Sequence, residues 1–322
     1  MTPKRKLTFI SLCYNHADYV EQHMDAVAAF FRDERIDMQW IIVDDFSGDH
    51  SQAVIAKWIS EREHGPHHFI RHNENRGVSS SLNEALALAT GDYIKILATD
   101  DLPIRDALIR QLNELAASPP ESALSCSNFI KLLPGGSKTV ANAGEYSFPE
   151  APYRELLRLE AAFIHTATLI YRKELFARTG YFNESLKQED YDMLLRITRE
   201  FEVIYYPEVT VIKRELPGSL GAAMYRIEQN NREVLHVLRG VAPRGKGERA
   251  ARLAGICKWA MNYLSNTAAG YEGFSAKSFA RAFAGGGHFF LWPAPFFARL
   301  AVPLAYSYLN ALRRYFIKME KS

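Results

Sequence analysis

Four short apolar runs in the first hundred residues constrain the fold of this 322-residue chain more than any other feature. Leu7–Cys13, Gln39–Val43, His68–Arg71 and Tyr93–Ala98 have the length of strands. Between them, Asp18–Phe31, Ser51–Ile59 and Ser79–Ala89 carry apolar residues at helical spacing, and Val20, Met24, Val27 and Phe31 share one face of the first. Ser51 is placed as the N-cap of the second helix, and Gly91 to end the third as a left-handed residue. Strand–helix–strand repetition of this kind predicts a parallel sheet covered by helices on both faces.

Beyond residue 120 the alternation weakens, with Pro119-Pro120 and Leu133-Pro134-Gly135-Gly136 as loop punctuation. Segments 124–132, 166–172 and 203–212 read as strands and Asp190–Glu200 as a helix, and Pro217-Gly218 marks an end. From about 223 to 270 the pattern is helical and basic. The expected division is therefore 1–222 as an α/β domain and 223–322 as a helical C-terminal extension.

Charge follows the same division. Residues 1–222 hold 24 Lys/Arg against 32 Asp/Glu, a balance of −8, and residues 223–322 hold 15 against 5, a balance of +10. A basic segment points to an acidic partner such as an anionic membrane surface. Cys13, Cys126 and Cys257 are odd in number and far apart, with no metal-ligand spacing, which is the usage of a reduced, cytosolic compartment. The basic start and Leu7–Cys13 imitate a signal peptide, but Tyr14-Asn15-His16 stands where small residues would be needed for cleavage.

Two acidic pairs end predicted strands: Asp44-Asp45 and Asp100-Asp101. In open parallel sheets, ligands bind outside the carboxyl ends of the strands. Four carboxylates gathered there repel one another unless a cation or hydrogen-bond donors lie among them. A hard divalent ion, Mn²⁺ or Mg²⁺, with oxygen ligands answers that need and would neutralise a diphosphate leaving group. Asp residues also cap helices and turns, a bland use that one pair alone would fit equally well. Glu189-Asp190-Tyr191-Asp192 forms a third acidic group at a helix start, where the dipole favours carboxylates and where a general base could equally stand.

Four segments together resemble the family 2 glycosyltransferases, from about Leu7 to Leu220: SLCYNHADYVEQHMDAV, VDDFSGD, NENRGVSSSLNEALALATGDYIKILATDD and GYFNESLKQEDYDMLLR. The resemblance implies the GT-A fold, a mostly parallel mixed sheet with helices on both faces. It also implies an inverting transfer of sugar from a nucleotide-diphosphate donor, UDP-linked above others, to a hydroxyl of a glycan or lipid-linked acceptor in surface polysaccharide synthesis. By the same resemblance Leu12, Tyr14 and Asn15 hold the nucleotide. One Asp of the first pair, Asp45 ahead of Asp44, bonds the base. Gly77 lets the backbone pass close to the nucleotide, and Asn83 braces that loop; Arg76, by its place beside Gly77, could reach phosphate, although exposed arginines are usually solvated. Asp101 contacts the metal with Asp100 nearer the ribose or sugar, and Asp190, beside Glu189, is the base. His165 lies where the acceptor side would begin, although a lone histidine beside an apolar strand is more often structural. The segment KRELPGSLG lacks the late histidine many members use as a metal ligand, which leaves Asp101, phosphates and water.

The end of the chain is aromatic and basic. Two uncharged stretches, Ala282–Ala298 and Leu300–Leu312, fall short of a spanning helix and contain prolines. Trp292, the Phe residues and Arg313, Arg314, Lys318 and Lys321 suit an interfacial segment on an anionic leaflet, placing the protein at the inner membrane face, and equally suit a cover over the chain or a homodimer contact. A nicotinamide-dependent dehydrogenase is excluded because Cys13-Tyr14-Asn15-His16 holds no glycine. A nucleotidyltransferase would show a glycine-rich basic loop near the start, and no nucleic-acid motif accompanies the basic tail. The remaining alternative is a catalytically silent relative that binds sugar nucleotides or scaffolds a synthase, against which the intact Asp100, Asp101 and Asp190 speak.

Overall fold

A strand buried on both faces needs a nearly continuous apolar run, and β1 (Arg5–Cys13) has one, with Leu7, Phe9 and Ile10 wholly buried. It lies at the centre of a parallel block with β2 (Ile36–Asp44) on one side and β4 (Tyr93–Ala98) on the other; β3 (His68–Arg71) pairs with β2. The computed structural model describes residues 4–62, 65–141, 148–160, 164–216, 228–268, 310, 313, 314 and 317. Among them the sheet has nine strands in the order β3-β2-β1-β4-β8-β6-β9-β5, with β7 added to β6. Here β5 is Leu102–Pro103, β6 Ser122–Leu132, β7 Lys138–Ala141, β8 Ile170–Arg172 and β9 Glu202–Arg214. β8 runs antiparallel to both β4 and β6, whereas β6 and β9 are parallel, so the sheet is mixed beyond β4. The parallel block places the carboxyl ends Cys13, Asp44, Arg71 and Ala98 on one rim.

Helices α1 (Val20–Ala28), α2 (Ser51–Ser60), α3 (Val78–Leu88) and α4 (Arg105–Ala117) connect these strands. Three local expectations change. A 3₁₀ turn, Ala29–Arg32, tightens the end of α1 and buries Phe30 in place of Phe31. Ser51 is the first residue of α2 and not its cap, because its N–H and hydroxyl both donate to Asp49 Oδ1 at 2.9 and 2.5 Å. Gly91 is not left-handed. A Cβ there would lie 2.4 Å from the backbone N of Thr8, so close approach to β1 demands glycine. Trp40 and Trp58 meet edge to face at 5.7 Å beneath this layer.

The chain divides into two compact units that are not consecutive in sequence. One comprises Met1–Phe148, Ala162–Ser185 and Arg196–Leu216, and holds the whole sheet. The other comprises Pro149–Ala161, Leu186–Leu195 and Pro217–Ser322. The second unit therefore draws on α5 (Pro152–Leu157) and the first turns of α7 (Glu189–Glu200) as well as α8 (Glu228–Gly240) and α9 (Lys246–Ala268). Short α6 (Leu175–Thr179) stays with the sheet. Within the second unit, a Cβ on Gly255 of α9 would lie 1.9 Å from Leu157 O, so only glycine permits this contact with the end of α5. Among the described residues no helix is long and apolar enough to cross a membrane. The features expected of the aromatic tail fall almost entirely outside the described residues.

Candidate active site

At the carboxyl ends of β1 and β2 the two connecting loops are stitched together. Asn15, in left-handed conformation at φ 58°, receives the Gly48 N–H on its side-chain oxygen at 2.7 Å and donates its own N–H to Ser47 Oγ at 2.9 Å. Asp44 is fully buried, and Ser47 N–H, Ser47 Oγ and Gln52 Nε2 all donate to its carboxylate, at 2.9, 2.6 and 2.7 Å. Asp44 therefore braces the turn. Asp45 turns toward the next loop and accepts Arg76 N–H on Oδ1 and Gly77 N–H on Oδ2, both at 2.8 Å. His72 bridges Asp45 and Glu84 at 2.8 and 3.1 Å, and the Arg76 guanidinium donates to Glu84 at 2.5 Å. Asp45 thus holds the 72–77 loop, where Gly77 is required by φ 84° and not by crowding. Leu12 accepts the Thr99 N–H at 2.8 Å, and Tyr14 stands 47% exposed. Asn83 exchanges hydrogen bonds with the Phe182 backbone at 2.9 and 3.0 Å, fastening the chain ahead of the third acidic group.

The second acidic pair, at the end of β4, has a different environment. Asp101 is buried, and among the described residues its carboxylate accepts one hydrogen bond, from Arg214 N–H at 2.9 Å. Burial, joined by the Asp100 charge, pushes this carboxyl well above the ordinary carboxylate range. Asp100 lies 3.8 Å from His16 Nε2, and the His16 ring also touches Thr99 Oγ1 at 2.9 Å. The backbone of the pair is held more closely than its carboxylates. His23, wholly buried, donates from Nδ1 to Asp101 O at 2.7 Å while Ser11 Oγ meets Nε2 at 2.8 Å. The Arg214 guanidinium donates to Asp100 O and to Gln22, and lies over the Tyr19 ring at 5.2 Å.

Two adjacent carboxylates, one buried with a single hydrogen-bond donor and with the Lys95, Lys213 and Arg214 side chains acting on it only through their charge, form an oxygen-only set; that chemistry fits a hard divalent cation. No cluster of three or more His, Cys, Asp or Glu side chains able to hold an ion exists among the described residues. Phosphate and water would therefore have to supply the other ligands.

The antiparallel register, Lys95 opposite Ile170, carries the chain ahead of β8 toward the carboxyl end of β4. His165 caps a 3₁₀ turn there, Thr166–Thr168. Lys95 is wholly buried, and its Nζ donates to Ala167 O and to Leu169 O. Buried Gln111 donates to Thr168 O at 2.9 Å. Burial lowers the Lys95 ammonium to about 7, against the pull of the Asp101 charge. His165 Nδ1 accepts the Ala167 N–H at 3.2 Å, which leaves the proton on Nε2. Burial and the charges of Lys213, Lys131 and Lys95 lower its basicity to about 3, so the imidazole is neutral and a donor.

In the second unit, Glu189 and Asp190 open α7. Asp190 receives the Tyr191 N–H at 2.6 Å, and Tyr191 OH donates to Leu156 O at 2.8 Å. Burial raises both carboxyls, Glu189 to about 7 with the Asp190 charge adding to it.

The family profile of glycosyl transferase family 2 matches residues 8–180, more than half of the chain. The chain belongs to this family. Its relatives include the succinoglycan biosynthesis protein ExoO of Rhizobium meliloti, 24% identical over 195 residues, covering 61% of this chain and 53% of that protein. They also include poly-beta-1,6-N-acetyl-D-glucosamine synthase of Staphylococcus aureus, 24% identical over 237 residues, 71% of this chain and 55% of that protein. The chain thus spans about half the length of these relatives. Among solved structures, the mannosyltransferase PcManGT of Pyrobaculum calidifontis in complex with GDP-Man and Mn²⁺ is similar with a TM-score of 0.57 at 20% identity, over 99% of this chain and 86% of that one. Residues 1–349 of S. aureus TarS in complex with UDP-GlcNAc give a TM-score of 0.58 at 13% identity, over 98% and 91%. These likenesses establish the GT-A fold for this glycosyl transferase family 2 chain.

Three residues of the site escape sequence reasoning: His23, Lys95 and Arg214. His23 sits between Val20 and Met24 on the apolar face of α1, and Lys95 is the one charge in an apolar strand; each break in pattern was a usable signal. Arg214 gave none, since 113 residues separate it from Asp101.

Proposed function

We propose that the chain is an inverting glycosyltransferase that moves a sugar from a nucleotide-diphosphate donor to a hydroxyl of a glycan or lipid-linked acceptor in surface polysaccharide synthesis. The observation that carries the reading is the buried Asp101 carboxylate with one donor, on the same sheet rim as the loop that Asp45 holds. Leu12, Tyr14, Asn15, Arg76 and Gly77 line the nucleotide side. Asp45 acts chiefly through the loop it fixes, and Asp44 and Asn83 through the turns they brace. Asp101, with Asp100, would hold Mn²⁺ or Mg²⁺, which when bound stabilises the departing diphosphate. Solved relatives of the same fold contain GDP-Man with Mn²⁺ and UDP-GlcNAc, which supports a donor of this class.

Asp190 takes the proton from the acceptor hydroxyl as that oxygen attacks the anomeric carbon, and burial raises its affinity for protons, which suits a base. A single in-line attack inverts that carbon. Glu189 adds negative charge beside the base, and His165 offers Nε2–H to an acceptor hydroxyl. A lipid-linked acceptor would place the work at the inner membrane face. The test is release of nucleotide diphosphate from UDP-GlcNAc, UDP-glucose and GDP-mannose with Mn²⁺, comparing the wild type with Asp101→Asn and Asp190→Asn. Turnover that survives both substitutions overturns the mechanism, and nucleotide binding without turnover in any donor points to a silent scaffold.

A further inference from the structure

Phe46 is held in a conformation that a phenylalanine disfavours, with half of its surface open to solvent. Its φ is 63°, in the left-handed region where a bulky side chain is an outlier. Both neighbours lock it there: Asp45 donates its N–H to Cys13 O at 3.0 Å and anchors Arg76 and Gly77, while Ser47 is bound twice by Asp44. The ring is 50% exposed and makes no ring or cation contact among the described residues. Glycine would relieve the backbone. Strain kept at a half-exposed aromatic ring on the rim of a site points to function.

The surroundings say what the ring meets. Tyr14, Phe46 and Val78 are three of the six large apolar side chains exposed among the described residues. Tyr14 and Phe46 lie on loops tied together at this rim, and Val78 opens α3 beside them: Asn15, next to Tyr14, bonds Ser47 and Gly48, and Gly77, next to Val78, bonds Asp45. Asp45, the candidate for reading the base edge, already accepts hydrogen bonds on both oxygens. An exposed aromatic face beside that carboxylate adds a contact any flat base can make, whatever its edge. We propose that Phe46 is a nucleobase-stacking residue, forming with Tyr14 an aromatic slot that binds a flat heterocycle with little regard to its hydrogen-bonding edge. This rests on the nucleotide-sugar reading above and extends it to how the base is recognised.

The experiment measures dissociation constants of UDP, GDP and inorganic pyrophosphate with Mn²⁺ by calorimetry for the wild type, Phe46→Gly and Phe46→Tyr, alongside melting temperatures. Phe46→Gly should weaken UDP and GDP alike by about tenfold, the scale of one lost stacking contact, and leave pyrophosphate unchanged. Its melting temperature should match or exceed the wild type, and Phe46→Tyr should restore binding to within about twofold. UDP and GDP affinities within about twofold of wild type in Phe46→Gly overturn the proposal, as does a loss shared equally by pyrophosphate. A wild type that binds neither UDP nor GDP overturns the donor reading itself, and Phe46 with it.

Discussion

The two acidic pairs look alike in sequence, DD at the carboxyl end of a parallel strand, and differ in what surrounds them. At β2, Ser47, Gln52, His72, Arg76 and Gly77 all direct donors at Asp44 and Asp45. At β4, among the described residues, one backbone N–H reaches the Asp101 carboxylate, while the pair's carbonyl oxygens are held by His23 and Arg214. A carboxylate ringed by N–H and O–H groups is satisfied and acts as a brace. One held rigidly with a single hydrogen-bond donor keeps acceptor capacity that the proposed cation would take up. Position in the sheet brings both pairs to the rim; the local donors divide their work.

The strongest way to break this comparison is Asp101→Asn. The amide keeps an acceptor for Arg214 N–H and removes a buried charge, so the melting temperature should hold or rise. Donor turnover should fall about a hundred- to thousandfold, on the scale of losing one preorganised electrostatic contact. A fall in stability matching the fall in turnover would make Asp101 another brace, and the distinction would go.

Asp45→Ala should behave in the opposite manner. It strands two backbone N–H groups and His72, which costs about 2–4 kcal/mol and lowers the melting temperature by several degrees. Nucleotide affinity should fall with it as the 72–77 loop loosens. Unaltered melting with weakened binding would show that Asp45 meets the nucleotide directly.

The parallel block was legible because strands buried on both faces must be nearly continuous apolar runs, and β1, β2 and β4 come close to that, whereas β3 at the edge is half-exposed. The four segments of resemblance also located both pairs. Their division of labour was not legible, since Asp44 and Asp101 are each one letter of a DD pair. The donors that separate them arrive from 3 to 113 residues away. Gly91 shows the same limit at smaller scale. A glycine after a helix reads as a left-handed stop, but the neighbour that requires it is the backbone of Thr8, 83 residues earlier. β5, two residues long, is too short to leave a periodicity, and of the expected strand 166–172 only Ile170–Arg172 forms one, since Thr166–Thr168 form a 3₁₀ turn.

Proton competition sharpens the comparison with a smaller effect. The folded carboxyls of Asp101 and Glu189 bind protons more tightly than in the unfolded chain, Glu189 near 7. Their contribution to stability is present below the ordinary carboxylate value, about 4, and is lost as pH rises through the raised value. The metal-free protein should therefore lose stability from these groups between about pH 4 and 7. A divalent ion needs the deprotonated pair, so the rise in melting temperature on adding Mn²⁺ and UDP should grow across the same window. Asp101→Asn should flatten that growth and Gln52→Leu should not. A gain independent of pH in the wild type would place the ion elsewhere.

The smallest expected effect tests the braced pair by removing one of its several donors. Gln52 is half-buried and gives Asp44 one hydrogen bond at 2.7 Å, beside the two from Ser47. Gln52→Leu should cost about 1 kcal/mol, near the value of a single hydrogen bond, because Ser47 still holds both carboxylate oxygens. Donor turnover and nucleotide affinity should stay within about twofold of wild type. If this one substitution instead abolishes turnover, Asp44 bears on the chemistry, and the sorting of carboxylates by their donors fails at the pair where it is clearest.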